Sequence, residues 1–348
     1  MATFAGETRG TTWSGRVVRT DETGTTLASP LPGEGRGPVS ASDGARGDGA
    51  ATALQLGPGL RRGTELVGDA ALVAEIEGVL ARVVGEMSHW EPGSDLSRFN
   101  RSEPGRWQPL PPGFAHVLAT ALSVADASDG AFDPAMGRLV DLWGFGPAGP
   151  REGVPGAPEI AEATAASGRR HVEQDGRRAR RLAPAALDFS GIAKGYAVDA
   201  VAERLRGLGL ADFLVEIGGE LRGEGVKPDG QPWWVDLEPA PGIAVAPIRV
   251  ALHGLSIATS GDYRRRFEHG GRDYAHTLDP RTGRPLNNRV ASLTVLHPSC
   301  MLADAWATAL SVLGAAGIAV AEREGLAVHM ATRGRGEHLS SQMAAMLA

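Results

Sequence analysis

The chain has 348 residues, 42% of them hydrophobic, enough for a sizeable core in one large domain or two ordinary ones. A formal net charge of −6, with Lys and Arg scattered rather than striped, leaves no electrostatic footprint for nucleic acid. The single cysteine, Cys300, excludes an intrachain disulfide and any thiolate zinc or iron–sulfur site, so a metal here must sit on oxygen or imidazole.

The N-terminal stretch lacks a charged region followed by an apolar one, and no run approaches the roughly eighteen apolar residues of a membrane span. The expectation is a cytoplasmic protein without a membrane span, or a periplasmic or membrane-anchored one if a leader has been removed. Residues 20–63 are rich in Gly, Pro, Ala, Ser and Thr and read as a flexible insertion. Over 72–87, apolar Leu72, Val73, Ile76, Val79, Leu80, Val83 and Val84 recur at helical spacing with charges between them, which predicts an amphipathic helix. A second helix is expected at 112–128, with Gly130 as its stop.

Gly, Pro and aromatics crowd into 130–147, a shaped loop with a brief helix, and 148–168 reads as a surface excursion. Strands are predicted at 186–189, 213–217, 233–237, 249–252 and 292–296, and helices at 195–208 and 302–313. This mixture of strand pairs and helices favours an α/β or α+β fold.

In DFSGIAKGYAVD (188–199) a short strand turns through Gly191 into a helix whose expected buried stripe is Ala193, Ala197, Val201 and Leu205. The turn sets backbone amides and Lys194 at a helix N-terminus, where unpaired N–H groups and the dipole favour a phosphate. No GxxxxGK[ST] is present, and an ordinary strand–turn–helix with a solvated lysine fits equally. Asp304 and Thr308 lie four apart on the predicted 302–313 helix and share one face. One carboxylate and one hydroxyl suit Mg²⁺ completed by a backbone carbonyl and phosphate oxygens, although Asp caps and back-bonded Thr are common in helices.

VEIGGELRGEG (215–225) reads as a hairpin through paired glycines. Segments 257–267 and 274–286 supply Thr259, Ser260, Asp262, Tyr263, His276, Asp279 and Arg281, expected as a compact polar cluster. The run from Asp279 to Gly283 is a strong turn signal, and His276 is either a structural histidine or an acid/base.

Taken in order, GTTWSGRVV (10–18), MSHWEPGSDLSRFN (87–100), GAFDPAMGRLVDLWGFGP (130–147), LDFSGIAKGYAVD (187–199), VEIGGELRGEG, ATSGDYRRRFE (258–268), HTLDPRTGRP (276–285) and ADAWATAL (303–310) resemble the FAD:protein FMN transferase (ApbE) family from about Gly10 to the C-terminus. The resemblance implies a single domain over 1–348 with mixed, largely antiparallel sheets and packed helices. It implies Mg²⁺-dependent cleavage of the FAD pyrophosphate and joining of FMN to a Thr or Ser hydroxyl of an acceptor flavoprotein, with release of AMP.

Carried over by the resemblance, Asp304 and Thr308 would be side-chain metal ligands, with the carbonyl of Gly191 as a backbone ligand. Asp188, Lys194, Ala131, Phe132, Asp133 and the stretch around Ile257 would contact FAD. Trp90 stands where the family more often has Tyr, keeping a stacking surface and losing a phenol, and His276 would be the base or orienter of the acceptor hydroxyl. The insertion at 20–63 departs from the family's shorter link. Two other readings use the same residues: a Mg²⁺-dependent FAD pyrophosphatase yielding FMN and AMP, and a protein that binds FAD without turnover.

Overall fold

A computed structural model describes residues 1–8, 11–18, 60–62, 65–67, 69–243, 245–262, 265–334 and 336–348. The insertion at 20–63 lies outside these except for 60–62, which pair with 65–67. Tyr263 also lies outside them. The largest sheet has eight antiparallel strands, and their spatial order is their chain order. They are β1 (Ala2–Thr8), β2 (Thr11–Val17), β3 (Phe213–Ile217), β4 (Glu220–Glu224), β5 (Leu255–Gly261), β6 (Val290–His297), β7 (Ala327–Thr332) and β8 (Gly336–Leu339). The α+β expectation is therefore met, and every pairing in the sheet is antiparallel.

Alternation along the strands separates two cores. On β3, Phe213, Val215 and Ile217 enter the larger core, while Leu214 packs into a second cluster behind the sheet. The central strand β6 is buried along nearly its whole length, as its run of apolar residues requires. The larger core lies under α1 (Asp69–Met87), α2 (Asp95–Arg101), α3 (Pro112–Ala127), α6 (Ala193–Gly207) and α7 (Cys300–Leu313). The predicted stripe of α6 is observed at Ala197, Val201 and Leu205, with Ala193 partly buried. Behind the sheet, Trp233, Val250 and Leu252 of a hairpin and Met343 of α9 (Ser341–Leu347) meet Ile257 and Leu296.

Three local expectations need correction. Segment 148–168 carries a helix, α5 (Ala157–Ala165), closed by Glu159 accepting from the Gly156 amide at 2.6 Å. Ile160 and Ala163 of α5 pack with Leu139 of α4 (Gly137–Leu142), Trp143 and Phe145. Segment 186–189 is extended but joins no sheet, because its polar groups are satisfied elsewhere. The side chain of Asn100 accepts from the Leu187 amide at 2.7 Å and donates to its carbonyl at 2.8 Å, imitating a neighbouring strand. The Asp188 amide donates to Pro134 and the Ala186 carbonyl accepts from Gly137, both at 2.8 Å.

The third concerns apolar length. Cys300–Arg323, comprising α7, a 3₁₀ turn and α8 (Gly317–Arg323), is 24 residues and contains an 18-residue window with a mean hydropathy of 1.5, long and apolar enough to cross a membrane by composition alone. Within this fold 61% of that apolar window is buried, and α7 is apolar on nearly all sides because it sits between the sheet and the other helices.

The junction of α6 and α7 is tied by Asp199. Its carboxylate accepts from the amides of Cys300 and Met301, each at 3.0 Å, and from the Ser299 hydroxyl at 2.8 Å, and it pairs with Arg222 at 2.9 Å. A Cβ on Gly195 would fall 2.3 Å from the Cys300 carbonyl oxygen, so glycine is what allows the helices this close. Gly195→Ala is expected to destabilise the protein by about 1–3 kcal/mol, the usual cost of overpacking against backbone, seen as a lower denaturation midpoint.

Candidate active site

The closely packed α6 and α7 place the 188–199 turn directly against Asp304 and Thr308. Asp304 is buried, and one of its oxygens accepts from the Gly195 amide at 3.1 Å. Burial pushes its carboxyl above the usual range, against the opposing pull of Lys194 and that amide. A Cβ on Gly191 would lie 2.8 Å from the Thr308 hydroxyl, which places the Gly191 backbone in contact with that side chain. Asp304, Thr308 and Gly191 thus come together in the lining of one cavity.

Among the described residues no cluster of three or more His, Cys, Asp or Glu side chains could form a metal cage. A hard cation with few protein ligands fits the oxygen set at this point, a buried carboxylate and a hydroxyl beside the Gly191 backbone, with remaining positions left to substrate or water. The glycine gap and the unfavourably buried carboxylate both suit such an ion.

Asp188 is held more tightly than its sequence indicates. One carboxylate oxygen accepts from the Ser190 amide at 2.8 Å and the Ser190 hydroxyl at 2.5 Å, and pairs with Nδ1 of His89 at 3.1 Å. Burial alone would raise its pKa, but His89 and the Ser190 bonds outweigh burial and hold it below the ordinary carboxylate value. His89 moves the opposite way: burial opposes its charge, yet Asp188 raises its pKa above that of a free imidazole. Sequence reasoning missed His89, although it stands inside MSHW.

Lys194, in the first turn of α6, is ion-paired with buried Glu220 at the start of β4 rather than simply solvated. The hairpin reading of 215–225 was correct for the backbone, with Gly218 and Gly219 at positive φ, but it passed over Glu220.

Nδ1 of His276 lies 3.1 Å from the Arg265 carbonyl, to which it can only donate, and the His276 backbone amide donates to the same oxygen at 3.0 Å. A proton on Nδ1 satisfies that contact and leaves Nε2 as a lone-pair acceptor. Burial pushes the ring's pKa down; the Arg265 and Lys194 charges add to this, against the Arg265 carbonyl, which favours protonation. His276 is thus a neutral imidazole at the cleft wall.

The cleft has two lobes. One, about 190 Å³, is lined by Ala131, Phe132, Asp133, Asp188, Thr259, His276 and the Asp304–Thr308 face, among others. The other, about 430 Å³, runs between α1 and the 188–197 segment and is lined by Trp13, Leu80, Val84, His89, Trp90 and Phe189, among others. Ser190, Lys194 and Arg265 line both lobes. Trp90 is 50% exposed, with the Arg265 guanidinium 5.7 Å from its ring centroid, and so presents an open stacking surface.

Two expected ligand contacts look different in three dimensions. The oxygens of Asp133 accept from the amides of Ala135 and Arg169, each at 2.8 Å, so this carboxylate shapes the wall through local bonds. Burial raises its pKa against those amides. Ile257 does not line the cleft: its side chain packs behind the sheet with Leu296 and Trp233, while Thr259, Ser260 and Gly261 of the same strand reach the lobe. The expected polar cluster also divides, since Asp262 pairs with Arg333 at 2.9 Å and Asp279 with Arg281 at 2.9 Å, leaving Thr259, Ser260 and His276 at the cleft.

A buried carboxylate beside a hydroxyl, a lysine at a helix start and a histidine in the lining of two neighbouring cavities form a candidate enzyme site. Comparison with known proteins places it further. The model of the ApbE family matches residues 41–330. The FAD:protein FMN transferase of Vibrio cholerae is 40% identical over 263 residues, 74% of this chain and 78% of that one, and the Haemophilus influenzae enzyme of the same name is 38% identical over 268 residues, with the same coverage of each. The crystal structure of the Pseudomonas stutzeri flavinyl transferase ApbE in its apo form superimposes with a TM-score of 0.80 at 37% identity, covering 99% of this chain and 96% of that one. The chain belongs to the ApbE family.

Proposed function

We propose that the chain is a Mg²⁺-dependent FAD:protein FMN transferase that cleaves the FAD pyrophosphate, joins FMN through a phosphoester to a Thr or Ser hydroxyl of an acceptor flavoprotein, and releases AMP. The observation that carries this reading is a pair of cavities, one with an exposed indole, that share Ser190, Lys194 and Arg265 in their linings, the smaller also lined by Asp304, Thr308 and Gly191. Such a cleft suits a ligand with ring systems at both ends and phosphates between them.

In this reaction the acceptor hydroxyl oxygen bonds to the flavin-side phosphorus, the bridging P–O bond breaks, and AMP leaves with that oxygen. His276, neutral and with Nδ1 held by a carbonyl, takes the hydroxyl proton on Nε2. Lys194 would face the charge that builds on the phosphates, whereas the amides of Ala193 and Gly195 at the start of α6 already donate to Phe189 and Asp304. Asp304, Thr308 and the Gly191 carbonyl would hold Mg²⁺, which when bound neutralises phosphate charge. Burying the Asp304 carboxyl, which disfavours its charged form, is a cost that a protein merely storing FAD has no reason to bear.

The test is incubation of the purified chain with FAD and Mg²⁺, with and without an acceptor flavoprotein, following AMP release and in-gel flavin fluorescence of the acceptor. AMP together with a fluorescent acceptor band, both lost on chelation, is the expected result. AMP with free FMN under both conditions would instead make it a pyrophosphatase, and bound FAD with no AMP would make it a binder.

A further inference from the structure

We propose that Arg265 is a further substrate-binding residue of this site, its guanidinium clasping the diphosphate bridge of the dinucleotide where the two lobes meet. The inference rests on the flavin-dinucleotide reading above. Arg265 stands with Lys194 and Ser190 on both lobes, so it borders the one stretch of a ligand that passes from one lobe to the other.

Its charge has no carboxylate partner among the described residues, in contrast to Lys194, which is paired with Glu220. What holds the side chain is a bond from Nη2 to the Phe145 carbonyl at 3.2 Å and the face of Trp90. Both interactions fix the direction of the guanidinium and leave N–H donors free for an anion. A guanidinium matches two phosphate oxygens at once, which an ammonium does not. The backbone of the same residue holds His276 through its carbonyl, so ligand-side and base-side positioning come from a single turn of chain. With the charge of Lys194 offset by Glu220, Arg265 adds a positive charge at the cleft that no carboxylate among the described residues pairs.

Arg265→Ala, Arg265→Lys and Trp90→Ala, with the double variant Trp90→Ala/Arg265→Ala, would be compared by flavin fluorescence titration with FAD, after thermal melting shows each to be folded. Arg265→Ala is expected to weaken FAD binding about tenfold, the scale of removing one charge-assisted hydrogen bond, and by a similar factor in the Trp90→Ala background. Arg265→Lys should recover only part of the affinity, since it restores the charge without the two-oxygen contact, and the salt dependence of binding should be shallower in Arg265→Ala. No loss in Arg265→Ala, or a loss that disappears once Trp90 is gone, would overturn the proposal and reduce Arg265 to a support for the indole. AMP release and flavin transfer by the unsubstituted chain are read separately, so a protein that binds FAD without transferring flavin would sink the transferase reading and leave this result intact.

Discussion

Asp304→Asn is expected to lower flavin transfer by about a thousandfold, the scale on which preorganised electrostatic groups act, while the protein stays folded. The amide keeps the volume of the carboxylate and can still accept from the Gly195 amide, so the packing of α6 on α7 survives. What disappears is the anionic oxygen that a hard cation requires. Asp304 is buried, which sharpens the expectation for stability.

Its folded pKa is raised above the unfolded value, so its contribution to stability is present below the unfolded pKa and is lost as pH rises through the folded one. In chelated buffer near neutrality, Asp304→Asn should therefore melt at the same or a higher temperature than the unsubstituted chain. Activity retained with its Mg²⁺ dependence unchanged would defeat the metal assignment. A collapse in melting temperature would make Asp304 a structural residue instead.

His276→Gln is expected to slow transfer by about a hundredfold to ten-thousandfold, the range of a missing general base, with FAD binding little changed. The pH dependence gives an independent check. The folded pKa lies below the ordinary histidine value, so Nε2 is unprotonated through neutrality, and the rate should fall only as pH drops through that lowered pKa. The variant should lose this acid limb along with its rate. Equal losses in transfer and in FAD affinity would leave His276 as a ligand contact. An acid limb that persists in His276→Gln would assign it to another group, and His89, paired with Asp188 in the larger lobe, is the other imidazole at the cleft.

Local sequence carried much of this protein. The period of apolar residues placed α1, α3, α6 and α7 to within a few residues, because an amphipathic helix writes its buried face into its spacing. A spacing of four put Asp304 and Thr308 on one helix face, but it was the resemblance to the ApbE family that tied them to the run at 188–199 as one site. The turn at 279–283 and the hairpin at 215–225 were legible for the same local reason, the conformational freedom of glycine.

Contacts between distant segments followed a different rule. Extended residues at 186–189 have strand-like composition, yet the side chain of Asn100, 87 residues away, takes the place of a neighbouring strand. Ile257 stands beside cleft residues in sequence, but strand alternation turns it to the opposite face of the sheet. His89, Glu220 and Arg265 came to the site only because α1, the β3–β4 hairpin and the turn after β5 converge on the start of α6. Sequence by itself determined which chemical groups and which helix and strand faces were available. Tertiary structure decided which charges neutralise one another and which of them remain for a ligand, since those depend on distances that no local spacing encodes.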